Sequence, residues 1–361
     1  MAEAAEDFSG VDPKIFDANE QVFHFLSGRV KMPLDDLMSH VHASADDIVI
    51  VCGTLIEGIG NWTSDLDVYV FVEERTSDFP AQLHHRHYLT KGAVSGTFDF
   101  MEGYPFTVDV YYREIGELKA LVDKIKAGYA TRLKRTKILS SSLRTHDAKL
   151  AYRLFDNIVL RNPEKFRSYM EGIARSEYCY TLYREVTCSF PEFRDIVGSW
   201  QDEDYETCCF QVKAYLHKQM RGFNHLNGSL NIGSKWVRKI ATQLPQKYQH
   251  IANAYCDLND QATKSTTQRK DTIIGCLDLA DEIYASSRNL LDVNPAYLSC
   301  DDAREITRCE RESYSVWHDE LDREFTYRSR LFDAGLPAMR QLLERRDTGR
   351  PMRSMCSAVA K

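Results

Sequence analysis

Cys52-Gly53-Thr54-Leu55-Ile56-Glu57-Gly58-Ile59-Gly60-Asn61-Trp62-Thr63-Ser64-Asp65-Leu66-Asp67-Val68-Tyr69-Val70 is the stretch on which the reading of the fold turns. Just before it, Ile48-Val49-Ile50-Val51 is a short β-branched run that reads as a buried strand ending in a Gly-hydroxyl turn. A Gly-rich connection follows, and a second strand over Leu66 to Val72 opens with two carboxylates two residues apart. Side chains alternate across a strand, so Asp65 and Asp67 are expected on one face, with Leu66 and Val68 pointing into a core.

Two acids on one face repel each other, and holding both ionised is costly unless a cation sits between them. Oxygen-only ligands with open positions suit magnesium, with manganese as the alternative, because magnesium keeps waters and takes further ligands from phosphates. At Gly53-Thr54, Gly permits close backbone approach and the Thr hydroxyl can donate to phosphate oxygens. A two-metal centre wants a third carboxylate. Phe106-Thr107-Val108-Asp109-Val110-Tyr111 supplies it, since Phe106, Val108 and Val110 alternate toward the core and leave Thr107, Asp109 and Tyr111 on the opposite face. Asp99, in Phe98-Asp99-Phe100, is the rival; Asp109 is preferred for its longer and more clearly alternating strand.

Outward from this segment, Asp17 to His42 places Val22, Phe23, Leu26, Val30, Leu34, Leu37 and Met38 at helical spacing, with Pro33 a break between two expected helices. Phe98–Met101 and Phe106–Tyr112 read as a hairpin around Glu102-Gly103-Tyr104-Pro105. Beyond about residue 115 the periodicity becomes helical, through 116–129, 148–160, 163–186, 205–223, 233–244, 272–291 and 301–325, with no convincing strand. The expected fold is α+β, a mixed sheet with flanking helices in residues 1–115, then an all-helical domain over 116–350 and a frayed tail over 351–361. A chain of 361 residues is long enough for two domains, each with its own core.

No run approaches the roughly 18 apolar residues of a membrane span, and Met1 to Gly10 lacks the basic start and apolar stretch of a secretory signal. A cytoplasmic protein with reduced thiols is expected, because the ten cysteines are scattered without C-x-x-C pairing. The net charge of −7 argues against a surface built to grip nucleic acid. Lys119 to Arg175 is the exception, with fourteen basic and five acidic residues, a composition suited to phosphates.

Taken together, the Gly-Thr turn, the spacer, Asp65-Leu66-Asp67 and the later strand carrying Asp109 resemble the DNA polymerase β-like nucleotidyltransferases. The likeness covers about residues 48–112. Glu57-Gly58-Ile59-Gly60-Asn61 followed by Ser64-Asp65-Leu66-Asp67 is most similar to bacterial members acting on small molecules, such as the aminoglycoside nucleotidyltransferases. Thr54 departs from the family's usual Ser but keeps the hydroxyl. The resemblance implies transfer of a nucleoside monophosphate from an NTP, ATP first among candidates, to a hydroxyl acceptor, a small molecule rather than a polymer. It assigns the metals to Asp65, Asp67 and Asp109, and nucleotide contacts to Gly53, Thr54 and Ser64. Asn227-Gly228-Ser229-Leu230-Asn231-Ile232-Gly233-Ser234-Lys235-Trp236 is similar to a Lys-Trp helix start in some relatives, which would put Lys235 near the outer phosphates; a surface Lys beside a core Trp is the plain alternative. Two further readings stay open, a synthase of cyclic di- or oligonucleotides and a catalytically inactive binding scaffold on the same fold.

Overall fold

The β-branched run and its partners assemble as their alternation demands. In the computed structural model, which describes residues 11, 14–73, 87–89, 95–134, 143, 145–187, 190–293, 313–318 and 323–328, strand β4 (Ile48–Cys52) pairs antiparallel with β5 (Leu66–Val72). Strand β8 (Thr107–Glu114) lies parallel to β5 on its other side, in the register Asp67↔Asp109. The sheet has six strands in the order β6-β7-β8-β5-β4-β9, with β6 (His87–Leu89) and β7 (Ser95–Phe100) at one edge and β9 (Asn157–Arg161) at the other. The expected hairpin is present as the antiparallel pair of β7 and β8.

One face of this sheet is apolar. Val49, Val51, Leu66, Val68, Val70, Val108, Val110 and Tyr112 form a core with Phe23, Phe25, Met32 and Leu37. Those last residues correct the expectation of helices over 17–42. The segment forms a three-stranded meander, β1 (Phe16–Asp17), β2 (Val22–Phe25) and β3 (Val30–Pro33), and only α1 (Leu34–Ser39) is helical. Val22, Phe23, Leu26 and Val30 satisfy a helical period by coincidence. The burial of β3 alternates strictly, and Leu26, Ser27 and Gly28 take positive φ to turn the hairpin. Phe25 meets Phe106 edge-on at 5.3 Å, which fixes the meander on the sheet.

After β8 the chain enters α2 (Ile115–Lys134) and, later, α3 (Thr145–Arg153). The expected helix over 148–160 breaks after Arg153, and Asn157–Arg161 becomes strand β9, correcting the view that no strand follows residue 115. Asn157 explains the break, since its amide donates to the carbonyls of Arg153 (3.0 Å) and Leu154 (2.7 Å) and so caps the helix end. The β-branched Ile158-Val159 pair then joins β4. The expected helix over 163–186 is two, α4 (Pro163–Met170) and α5 (Arg175–Val186), parted at Gly172 with φ +77°.

By compactness the chain forms two units, residues 1–127 with 143–175, and 128–142 with 176–361. Residues 143–175 go with the sheet because β9 is its edge strand. Among its described residues the second unit is helical as far as residue 293, with α6 (Phe190–Gln201), α7 (Tyr205–Leu226), α8 (Val237–Ala241), α9 (Gln249–Asp260) and α10 (Thr266–Val293). Its core sets Val212, Leu216, Met220 and Phe223 of α7 against Ile273, Leu277, Ala280 and Ile283 of α10, each a helical stripe. Of the helix expected over 301–325, residues 301–312 and 319–322 lie outside the described residues, and the described part is corrected to antiparallel strands β10 (Ser313–His318) and β11 (Arg323–Arg328), whose aromatic and β-branched residues suit strands. The 351–361 tail lies outside the described residues.

Candidate metal centre

The face of the sheet opposite the valine core carries the acids. Asp67 and Asp109 are neighbours across the β5–β8 ladder, and Asp65 stands just before β5. Ligand oxygens of Asp65, Asp67 and Asp109 all lie within 4.8 Å of one another, the one such grouping of His, Cys, Asp and Glu among the described residues. In the β7–β8 ladder Phe98 pairs with Asp109 and Asp99 with Val108, and Asp109 is the acid that the β5–β8 ladder sets beside Asp67.

The acids are more enclosed than solvent-facing ligands need be, with Asp67 3% and Asp109 9% exposed. Each has one oxygen engaged and one buried without a partner. Oδ2 of Asp67 accepts from Arg153 at 2.7 Å and Oδ2 of Asp109 from the Tyr111 hydroxyl at 3.2 Å, while both Oδ1 atoms are unpartnered. Burial pushes the Asp67 carboxyl up to about 7, with the Arg153 charge opposing and Asp65 and Asp109 adding to the rise. Asp109 is also raised, first by burial and then by Asp65. Buried unpaired carboxylate oxygens, converging and destabilised in their charged form, fit a hard divalent cation, and Asp65 at the exposed rim leaves the centre an open side.

Gly53 follows β4 and lies against the carboxylate of Asp67. It ends β4 at φ +98°, and a Cβ there would lie 2.5 Å from Oδ2 of Asp67, so Gly is what lets the carboxylate lie against the backbone. The carbonyl of the half-buried Thr54 accepts from Ile59 (3.0 Å) and Gly60 (2.6 Å), which folds the Gly-rich connection into a compact turn. Ser64, expected at the nucleotide, is buried; its Oγ accepts from the Asn61 amide at 2.9 Å and donates to Asn61 Oδ1 at 3.1 Å. It locks the turn that delivers Asp65. Lys235 belongs to the helical unit, exposed, with its ammonium 5.1 Å over the Trp236 ring.

Arg153 is the residue that motif reading missed. It lies 86 positions from Asp67, beyond any local pattern, and the available signal was only the basic composition of Lys119 to Arg175. Its guanidinium also donates to the Tyr69 hydroxyl at 2.6 Å, and the Tyr69 ring stacks on Tyr111 with centroids 4.9 Å apart. Lys149, one turn earlier on α3, adds a second positive charge acting on Asp67. The six described cysteines are free thiols, and no described helix is long and apolar enough to cross a membrane.

The sequence matches no protein-family model and no curated protein. Among solved structures, a nucleotidyltransferase-like protein from Exiguobacterium sibiricum 255-15 is similar over 68% of this chain and 72% of its own, at 10% identity and a TM-score of 0.36.

Proposed function

We propose that the chain is a metal-dependent nucleotidyltransferase that moves a nucleoside monophosphate from an NTP to a hydroxyl on a small molecule. The observation that carries this reading is the convergence of Asp65, Asp67 and Asp109 with two buried, unpartnered carboxylate oxygens. In the reaction the acceptor oxygen bonds to the α-phosphorus, the bond from that phosphorus to the β-bridging oxygen breaks, and pyrophosphate leaves. Magnesium, or manganese, when held by the three acids would lower the pKa of the acceptor hydroxyl and offset charge on the leaving group.

The chain's own residues account for the rest. Asp67 and Asp109 fix ligand oxygens on a rigid sheet, where neighbouring strands hold them in register. Asp65 completes the set from the end of a hydrogen-bonded turn, at the side open to substrate. Tyr111 and Arg153 orient the carboxylates through their engaged oxygens. The turn at Gly53-Thr54, adjoining Asp67, is the element we assign to the triphosphate.

Incubating the protein with each NTP and magnesium, alone and then with hydroxyl-bearing acceptors, tests the reading through pyrophosphate release and product mass. The expected product is acceptor plus one nucleoside monophosphate. A product built only of nucleotides would move the acceptor to a second nucleotide, and pyrophosphate release undiminished in Asp109→Asn would sink the assignment.

A further inference from the structure

Charge is spread unevenly within the helical unit. Residues 207–256 hold seven Lys and Arg and no Asp or Glu, a stretch of +7 in a chain whose net charge is −7. Helix surfaces that serve only solubility mix both signs, and a long stretch of one sign is the footprint of a surface for anions.

The fold gathers part of that charge. On α7, Phe210, Lys213, His217 and Arg221 follow at spacings of three and four, so they share one face, and none of the four is buried. The His217 ring bonds the Ser234 backbone, and the Asn224 amide donates to the Val237 carbonyl at 3.1 Å. Arg221 lies one helical turn from each of these contacts, which sets it beside the short helix Ser234–Trp236. There the exposed Lys235 and Lys239 hold their ammonium groups 5.1 Å and 5.8 Å from the centre of the Trp236 ring. Burial first and then the Arg221 charge keep the Lys218 ammonium and the His217 imidazole below their ordinary values, as crowded like charges must. The neighbouring acids are accounted for: Glu185 acts on Arg221, and Arg238 takes both oxygens of Asp260 at 2.6 Å each. Lys213 is engaged by the carbonyls of Asn259 and Gln261. Arg221, Lys235 and Lys239 form the cationic end of the face.

At its other end stands Phe210, 77% exposed, the most exposed large apolar side chain among the described residues. Eleven residues at 1.5 Å each put it about 16 Å along the axis from Arg221. We infer that this face of α7 and the Lys235-Trp236 turn bind single-stranded nucleic acid, with Phe210 stacking on a base and Arg221, Lys235 and Lys239 holding the phosphodiester backbone. Every base offers a flat π-face to an aromatic ring, and the phosphates between bases need the cations. An acidic polypeptide would meet the cations but give Phe210 nothing flat to stack on. No residue of the metal centre takes part, so the surface stands or falls apart from the reaction proposed above.

The test is fluorescence anisotropy of a labelled oligouridylate of about twenty nucleotides with the full chain in EDTA, titrated between about 50 and 200 mM salt. Three phosphate contacts at roughly −0.7 each give a slope of about −2 of log affinity on log salt. Phe210→Ala is expected to weaken binding roughly tenfold with the slope kept. The double variant Lys235→Glu, Lys239→Glu is expected to weaken it further and flatten the slope. All three side chains are exposed, so these variants leave the core intact. Asp109→Asn is expected to bind no more weakly than wild type. Absence of salt-dependent binding in wild type, or full affinity in Phe210→Ala, would overturn the inference. So would weaker binding in Asp109→Asn, which would move the strand to the metal centre. Complete displacement by ATP at equal total charge would reduce the face to a site for one nucleotide, and equal binding of polyglutamate would make the partner an acidic polypeptide; either result overturns it too.

Discussion

The sheet unit and the helical unit both bury ionisable side chains, and they manage them in opposite ways. In the sheet unit Asp67, Asp109 and Arg153 are gathered at one place, partly paired, with carboxylate oxygens left over. In the helical unit His225 stands in an apolar core, its pKa pushed down to about 4, first by burial, so that it is neutral, and its Nδ1 bonds the Ser229 carbonyl at 2.7 Å. Asn224 beside it donates to the Val237 carbonyl at 3.1 Å. Both units bury polar atoms without a hydrogen-bond partner, Nε2 of His225 and Oδ1 of Asn224 among them. The helical unit keeps this histidine neutral, whereas the unpartnered oxygens of the sheet unit belong to carboxylates. Those carboxylates converge on one point, the one such grouping among the described residues, and this marks the sheet face as the place of chemistry.

The comparison breaks first at Asp109. Asp109→Asn removes a charge but keeps an oxygen for Tyr111, so we expect pyrophosphate release to fall by roughly 10³-fold or more with the unfolding midpoint unchanged or raised. A matching drop in stability would mean that the acid is structural after all.

Acid should strike the helical unit next. The folded His225 pKa of about 4 lies below the unfolded value near 6.5, so the unfolded chain binds the extra proton between those limits. Stability is complete above that window and declines as pH falls through it, by about 3 kcal/mol at pH 4. Urea titrations at pH 7 and pH 4 on wild type and His225→Asn measure this, and an equal loss in both would assign the acid sensitivity elsewhere.

Divalent cation sharpens the sheet side of the contrast. Bound to the folded protein alone, magnesium or manganese at 100 times its dissociation constant should add about 2.7 kcal/mol. The gain should vanish in Asp109→Asn and persist in His225→Asn. Thermal shifts that do not distinguish the two variants would count against a cation at the acids.

The smallest effect separates the two faces of one strand. Val110, next to Asp109 on β8, is 1% exposed on the core face. Val110→Ala should cost about 2 kcal/mol of stability, with activity per folded molecule kept. Chemical denaturation beside steady-state rates decides it, and a rate loss as large as that of Asp109→Asn would show that the faces are not independent.

Strand parity made much of the site legible. Asp67 and Asp109 each sit in a run where alternate neighbours are buried leucine or valine, and the face they share could be assigned from those runs alone. The N-terminal segment was misread for a related reason. Val22, Phe23, Leu26 and Val30 fit a helical period as well as a strand pair joined by a turn, and short apolar runs do not separate the two. Arg153 was out of reach, as was the capping of α3 by Asn157, because both depend on which edge of the sheet β9 joins.

What the sequence by itself determined is the chemistry on offer: paired acids before a strand, a third acid on the polar face of another, a glycine where β4 ends and the helical stripes of the second unit. These are short-range properties fixed by backbone period and side-chain type. Tertiary structure alone decided that β5 and β8 run parallel in the register Asp67↔Asp109, that Asp99 falls opposite Val108, and that α3 brings Arg153 onto one oxygen of Asp67. Such pairings join residues as much as 86 positions apart. The choice among strand edges depends on the burial and hydrogen bonding of the whole sheet, which no local window of sequence contains.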